Sequence, residues 1–359
     1  MSQSHNYQTY LDIKKNNPRL YAVDIALKMG ITEAELAQIR IGFETTRLDI
    51  DPKTLLTRLE SCGELKAITR NPFAVSEQVG VYGNATLDGH VGLILNPRAI
   101  DLRIFYSQWK YIFVFNEPYF DKDNQSKIRT SLQIFNAAGL AIHKIYVTEN
   151  TDTKAFNQLI SQYESKSIDS LPINNQLLAT ETPKEYGIDL NINKEEFESK
   201  WRALKDVHDF YGLLKSYKLT RQQAFNLVSR DLAYQICPSE IESFLNTIFR
   251  AQNEIMFFVS NIGCVQIFTG KLEKVVPMHG WLNIFNRSFT LHMQHNEIHE
   301  AWITRKPTQD GIVTSLELYA KDGTQILQMY GQRTEGSPEQ IIWREQLQAL
   351  SPLEVALES

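Results

Sequence analysis

The sequence predicts an α+β protein built as a tandem duplication, each half a large antiparallel β-sheet with packed helices. Three observations predict it. The second half restates the first at a nearly fixed spacing, β-rich runs follow one another without helices between them, and each half opens and closes on helical patterns. Consecutive strands joined by short turns pair antiparallel, because a parallel pair needs a crossover of a dozen or more residues.

The first matched element is a helix pair. Residues 26–36 (ALKMGITEAEL) parallel 214–225 (LKSYKLTRQQAF) when Thr32 is set on Thr220, an offset of 188. Each threonine opens a capping box, with Glu35 and Gln223 three residues on, in which hydroxyl and N3 side chain satisfy free amides of the first turn. The β-rich runs come next. Residues 63–71 (GELKAITRN) fall on 253–261 (NEIMFFVSN) at offset 190, and 109–118 (WKYIFVFNEP) on 298–307 (IHEAWITRKP) at 189. Residues 128–135 (IRTSLQIF), then Gly139 and Tyr146, fall on 312–319 (IVTSLELY), then Gly323 and Tyr330, at 184. A drift this small needs only changes in loop length. Turn signals at 136–139 (NAAG) and 321–323 (KDG) punctuate the strands, and helices are expected at 153–164 and 338–350. Residues 167–192, rich in Ser, Thr, Asn and Pro and without a sustained period, read as a linker between repeats at 1–166 and 193–359.

Composition narrows the function. With 43% hydrophobic and 22% charged residues over 359 positions, the chain has material for large cores. It contains no run of eighteen apolar residues, and its polar start at 1–17 does not have the form of a signal peptide, so a cytoplasmic location without membrane insertion is expected. A formal net charge of -5 argues against a broad nucleic-acid surface, which relies on many phosphate-neutralising cations. Residues 26–36 have helix-turn-helix spacing, but the second helix, 32–39 (TEAELAQI), is acidic; a structural helix pair is expected, with DNA binding a minor alternative. Cys62, Cys237 and Cys264 lie far apart in an odd count and suggest neither a disulfide framework nor a thiolate metal site.

A duplicated chain also permits an internal comparison, since positions used by only one copy should diverge. His208 falls opposite Leu20, Arg221 opposite Glu33, Lys306 opposite Glu117 and Arg333 opposite Glu149. The second half has gained a potential metal ligand and three cations where the first is apolar or acidic, a pattern suited to an anionic, metal-bearing ligand. His208 lies on an apparent stripe of period 3.6, Phe197, Trp201, Leu204, Val207, His208, Tyr211 and Leu214, on a helix begun at Asn193 with Glu196. A lone histidine on such a stripe is more often a core residue bonded to a carbonyl, so the contrast with Leu20 carries the weight. His292, His295 and His299 lie in strand and turn, where 292 and 295 face opposite sides, and read as structural or solvated.

Several segments resemble the HemS/ChuS family of haem-degrading and haem-trafficking factors of Gram-negative bacteria: 63–71, 92–98 (GLILNPR), 201–208 (WRALKDVH), 220–225 (TRQQAF), 305–308 (RKPT) and 310–316 (DGIVTSL). The resemblance runs along almost the whole chain. It implies two large antiparallel sheets with haem in a cleft between the halves. It further implies His208 as the proximal iron ligand, and Arg103 reaching the opposite face from the first half as the catalytic residue. Arg221, Lys306, Gln328, Tyr330 and Arg333 would surround the propionates and the distal side. Family members often carry a histidine where this chain has Ser76, so one haem per chain is expected. The resemblance leaves two activities open. One is haem degradation fed by an external electron donor, since the sequence shows no flavin or dinucleotide motif. The other is a haem carrier. Partners would be a reductase, a haem transporter or a haem oxygenase.

Overall fold

The computed structural model describes residues 3–167, 169–174, 192–334 and 336–353, and most of the expected linker lies outside them. Within the described residues the chain forms helices and two large antiparallel sheets, divided between two compact units. The predicted α+β duplication is the observed architecture.

The first unit opens with helices α1 (Gln3–Asn16), α2 (Ala22–Met29) and α3 (Glu33–Ile39). Thr32 caps α3 as expected: its hydroxyl accepts the Glu35 amide at 3.2 Å, and its own amide donates to the Glu35 carboxylate at 2.8 Å. Strand β1 (Thr45–Leu48) and helix α4 (Pro52–Leu59) follow, then β2 (Gly63–Arg70), β3 (Ala74–Val81), β4 (Ala85–Thr86), β5 (Val91–Leu95) and β6 (Asp101–Phe105). The unit ends with β7 (Tyr111–Phe120), β8 (Ser126–Phe135), β9 (Ala141–Thr151) and α5 (Thr153–Tyr163). Strands β1, β7, β8, β9 and β2 are antiparallel neighbours in that order, while β4, β5 and β6 form a meander.

The second unit repeats the plan. Helices α6 (Lys194–Arg202), α7 (Asp209–Tyr217) and α8 (Arg221–Phe225) precede β10 (Ala233–Ile236) and α9 (Ile241–Ala251). Strands β11 (Ile255–Ser260), β12 (Cys264–Gly270), β13 (Val275–Met278), β14 (Trp281–Phe285), β15 (Phe289–Met293), β16 (Glu300–Thr308), β17 (Gly311–Tyr319) and β18 (Gln325–Gly331) lead to α10 (Ile341–Gln348). The order β10, β16, β17, β18, β11 copies that of the first unit. Even an irregularity recurs: the ladder slips at Ile134/Phe135 in one unit and at Leu318/Tyr319 in the other, positions 184 apart.

Alternation along the strands directs apolar side chains inward. The first unit buries Leu65, Ala67, Leu132, Ile134 and Ile145 with Leu55, Leu56 and Leu59 of α4. The second buries Ile255, Phe257, Leu316, Leu318 and Met329 with Phe244, Leu245 and Ile248 of α9. One polar set inside the first core is fully satisfied: the Thr69 hydroxyl lies 2.9 Å from His143 Nδ1 and the Tyr82 hydroxyl 2.7 Å from Nε2. Burial lowers the His143 pKa to about 3, so the ring stays neutral. Among the described residues no helix is long and apolar enough to cross a membrane.

The units are not simple halves of the sequence. The first contains residues 261–266, and the second contains 71–76. Each borrowed corner is held by an asparagine. Asn261 donates from Nδ2 to the carbonyls of Arg70 (2.9 Å) and Ile142 (2.7 Å), and its Oδ1 accepts the amides of Gly263 and Cys264. Asn71 donates to the carbonyls of Ser260 (3.2 Å) and Ile326 (2.9 Å), and accepts the amides of Phe73 and Ala74. The corners are close-packed as well: a Cβ on Gly263 would lie 2.4 Å from Cγ2 of Ile142.

Because each asparagine satisfies backbone groups that would otherwise lose partners, Asn261→Ala is expected to cost about 1–3 kcal/mol of stability. Asn71→Ala should cost a similar amount. Urea unfolding monitored by circular dichroism checks both, and no loss in either variant would remove the corners from the determinants of the fold.

Candidate functional site

The helix expected to carry His208 is interrupted, which corrects the single stripe read from the sequence. Helix α6 ends at Arg202, and residues 203–208 form turns before α7. The cause is local: the Asp206 carboxylate accepts the backbone amide of His208 at 2.7 Å, a side-chain bond that competes with helical pairing. Phe197 and Trp201 from the stripe do enter the core, against Phe210, Phe225 and Trp302. His208 does not. Its side chain is 88% exposed at the start of α7.

Asp206 also fixes the imidazole, since its carboxylate lies 2.6 Å from His208 Nδ1. A carboxylate only accepts, so Nδ1 carries the proton in the neutral ring and Nε2 keeps its lone pair. The amide of His208, followed by its ring and by the charge of Arg333, holds the Asp206 carboxyl below its ordinary pKa. Arg333 itself is loosely held, 3.4 Å from the Asp310 carboxylate.

Most of the remaining expected residues converge on a carboxylate that the sequence reading missed. Glu317, fully buried on β17, receives Arg221 from both Nε (2.7 Å) and a terminal nitrogen (2.5 Å). Lys306 Nζ lies 3.2 Å from Oε1 and 2.6 Å from the Thr304 hydroxyl. The Ser315 and Tyr319 hydroxyls donate at 2.9 and 2.8 Å, and the Gln328 amide approaches at 3.5 Å. Tyr330 donates to Gln328 at 3.3 Å and meets the ring of Phe258 edge-on. Phe210 lies under both cations, 5.1 Å from Arg221 and 5.0 Å from Lys306, within cation–π range. The signal that could have found Glu317 was the same internal comparison, because its counterpart at offset 184 is the neutral Gln133.

The electrostatics follow from this packing. Burial alone would raise the Glu317 pKa, but Arg221 and Lys306 hold it far below its ordinary value. Burial lowers Lys306 to about 8, against the pull of Glu317 and with the push of Arg221. Arg221, desolvated but gripped by Glu317, is raised. Two cations face one carboxylate, so the cluster is net positive.

Arg103 stands in the first unit, on β6. Its guanidinium bonds the Asp101 carboxylate and, at 3.2 Å, the Leu102 carbonyl. Burial raises the Asp101 pKa while Arg103 opposes the rise. His292, outside this group, shares Nδ1 with Asn283 Oδ1 at 2.6 Å. Among the described residues, no three or more His, Cys, Asp or Glu side chains are gathered as for a bare metal ion.

A sequence model for the haemin-degrading HemS/ChuX domain matches twice, at residues 30–163 and 218–350. The chain belongs to the HemS/ChuX family. The hemin transport protein HemS of Yersinia enterocolitica is 50% identical over 350 residues, 98% of each chain. Among solved structures, ChuS of Escherichia coli O157:H7, described as a heme degrading enzyme, shares 48% identity over 98% of this chain and all of its own, with a TM-score of 0.89. PhuS of Pseudomonas aeruginosa, described as a heme-binding protein, superimposes with a TM-score of 0.91 at 31% identity, covering 98% of this chain and all of its own. The two matched segments start 188 residues apart, the offset already read between the capping threonines.

Removing Glu317 would leave two buried cations uncompensated, so Glu317→Ala should destabilise the protein by about 3–5 kcal/mol in thermal or urea unfolding. The pH dependence has a defined sign. Glu317 titrates lower in the folded chain than in the unfolded one, so its stabilisation is present above the ordinary glutamate range and is lost as pH falls below about 4.5. Lys306 acts at the other end: its pKa is about 8 folded and higher unfolded, so raising pH through that window adds stability. Comparing unfolding of the wild type and Glu317→Gln from neutral to acid pH checks the first claim; equal slopes would refute it.

Proposed function

We propose that the protein binds one haem through its iron on His208 in the second unit and degrades it in the cytoplasm with electrons from an external donor. The observation that carries this reading is the His208–Asp206 pair: an exposed imidazole with its Nδ1 taken up by a carboxylate and its Nε2 free. Neutral imidazole is a common haem ligand, and a carboxylate behind it fixes the ring's orientation.

The other residues fit haem in distinct ways. Arg333, weakly held by Asp310 and close enough to influence Asp206, is the cation free to turn to a propionate. Arg221 and Lys306 are committed to Glu317; they act on the propionates through the positive field of the cluster and by positioning Gln328 and Tyr330, whose amide and hydroxyl offer hydrogen bonds. Arg103, oriented by Asp101, keeps further N–H groups that would bind and orient a polar atom. Haem, when bound, supplies the redox and oxygen chemistry.

A second reading, a carrier that passes haem from a transporter to a haem oxygenase, draws on the naming of the Yersinia relative as a transport protein. The two readings are separated by aerobic turnover of the haem complex with a reductant and catalase present. A ring-opened product is expected, and its absence would leave the carrier.

His208→Ala is expected to weaken haemin binding and to shift the Soret band, both read in one absorbance titration. Asp206→Asn should keep the ligand but weaken binding by about tenfold, as loss of an outer-shell partner does. Unchanged binding and spectrum in His208→Ala would overturn the proximal assignment.

A further inference from the structure

The first unit carries a half-open cavity of about 850 Å³, within the range of small-molecule sites. It lies on the strand faces that carry the Glu317 cluster in the second unit, because Tyr146, Lys144, Gln133 and Glu117 in its lining are the counterparts of Tyr330, Gln328, Glu317 and Lys306. The reason it is open is legible residue by residue. Phe210 and Phe225, which fill the second unit's core against Arg221, correspond to Ala22 and Ala37, and both alanines line the cavity. Leu36 and Phe115, opposite Ala224 and Thr304, refill only part of that space.

The lining is amphipathic and offers anion-binding groups. Phe115, Phe135, Leu36 and Ile68 provide apolar surface. Several charges are already matched: Arg40 pairs with Glu44 and Glu117 at 2.6 Å, Lys66 with Glu77 at 2.9 Å, and Glu33 with Arg70 at 2.8 Å. Three cations are not. Lys14 donates to the Tyr10 hydroxyl at 2.9 Å, Lys144 is half-buried on β9, and Arg129 on β8 rests over the Tyr119 ring; none of the three forms an ion pair among the described residues. Leu20 stands where the second unit has His208, and no His, Cys or Met lines the cavity. Tyr146, pushed up to about 12 by burial and by Glu117, stays a phenol.

We propose that this cavity is a second binding site, for a metal-free tetrapyrrole, cyclic or ring-opened, held by its propionates on Lys144 and Arg129 and by its apolar face on Phe115 and Phe135. The choice of ligand class rests on the haem reading of the second unit, since the first unit presents the same scaffold face without a counterpart of His208. Bound pyrrole N–H groups would find acceptors in the lining carboxylates, Glu149 among them.

The test titrates the full-length wild type, His208→Ala, Ala22→Phe and Lys144→Glu with metal-free protoporphyrin IX, read by fluorescence, and with biliverdin, read by absorbance. Haemin is titrated in parallel. One of the metal-free probes should bind saturably to the wild type and equally to His208→Ala, and whichever binds more tightly shows whether the cyclic or the opened form is taken. Ala22→Phe, which copies the filling residue of the second unit, should abolish that binding while haemin binding is kept. Lys144→Glu should weaken it by about tenfold or more, with Lys144→Arg restoring it. Circular dichroism confirms that each variant is folded. Failure of both probes to bind, binding that survives Ala22→Phe and Lys144→Glu, or binding lost in His208→Ala would each overturn the proposal. Haemin binding indifferent to His208 would instead overturn the reading of the second unit, and the Ala22→Phe result would still decide the cavity.

Discussion

Two asparagines, Asn71 and Asn261, set the condition that the fold must meet. Each unit is completed by six residues from the other half of the chain, and at each borrowed corner one side chain both donates to carbonyls of the receiving unit and accepts the amides of its own turn. Backbone groups in such a corner cannot be left without partners. A residue with both an amide donor and a carbonyl acceptor is therefore required, and the same residue type stands at both positions, 190 apart. Neither half of the sequence contains all of a unit, so the duplication is a single cooperative design in which each copy depends on the other for its closure.

Upon that shared scaffold the copies diverge by charge and by volume. The second unit buries Glu317 and draws Arg221, Lys306, Tyr319 and Gln328 around it, over the ring of Phe210. The first puts Gln133 at the equivalent position, moves its carboxylate to Glu117, and bonds that carboxylate to Arg40. A buried ion pair is expensive unless its geometry and hydrogen bonds are complete; Glu317 is fully buried and bonded at both oxygens, whereas Glu117 stays partly exposed. Substituting alanine for two phenylalanines then leaves the first unit open where the second is filled. One ancestral arrangement has thus become a polar anchor in one copy and a cavity in the other.

The candidate residues were legible in the sequence, but their surroundings were not. Comparing the two halves drew out His208, Arg221, Lys306 and Arg333, because each replaces an apolar or acidic residue. Glu317 is not marked by a gained cation, being itself a gained anion opposite the neutral Gln133. Spacing also placed His208 on a continuous helical stripe. Period alone cannot register that the Asp206 side chain, two residues earlier, takes the His208 amide and turns the chain, so the imidazole leaves the apolar face and stands exposed.

By itself the sequence determined the α+β class, the duplication with its drift of a few residues, the capping threonines and the family. These depend on local patterns, on hydrogen bonds within a few residues, and on similarity along the chain, all of which are written in linear order. Only the tertiary structure decided that the corners at 71–76 and 261–266 are exchanged, that Arg221 and Lys306 share one buried carboxylate, and that the first unit holds a cavity. The physical reason is range. Glu317 and Arg221 are 96 residues apart, and whether a cation faces solvent, a ligand or a buried acid is set by what the fold packs against it.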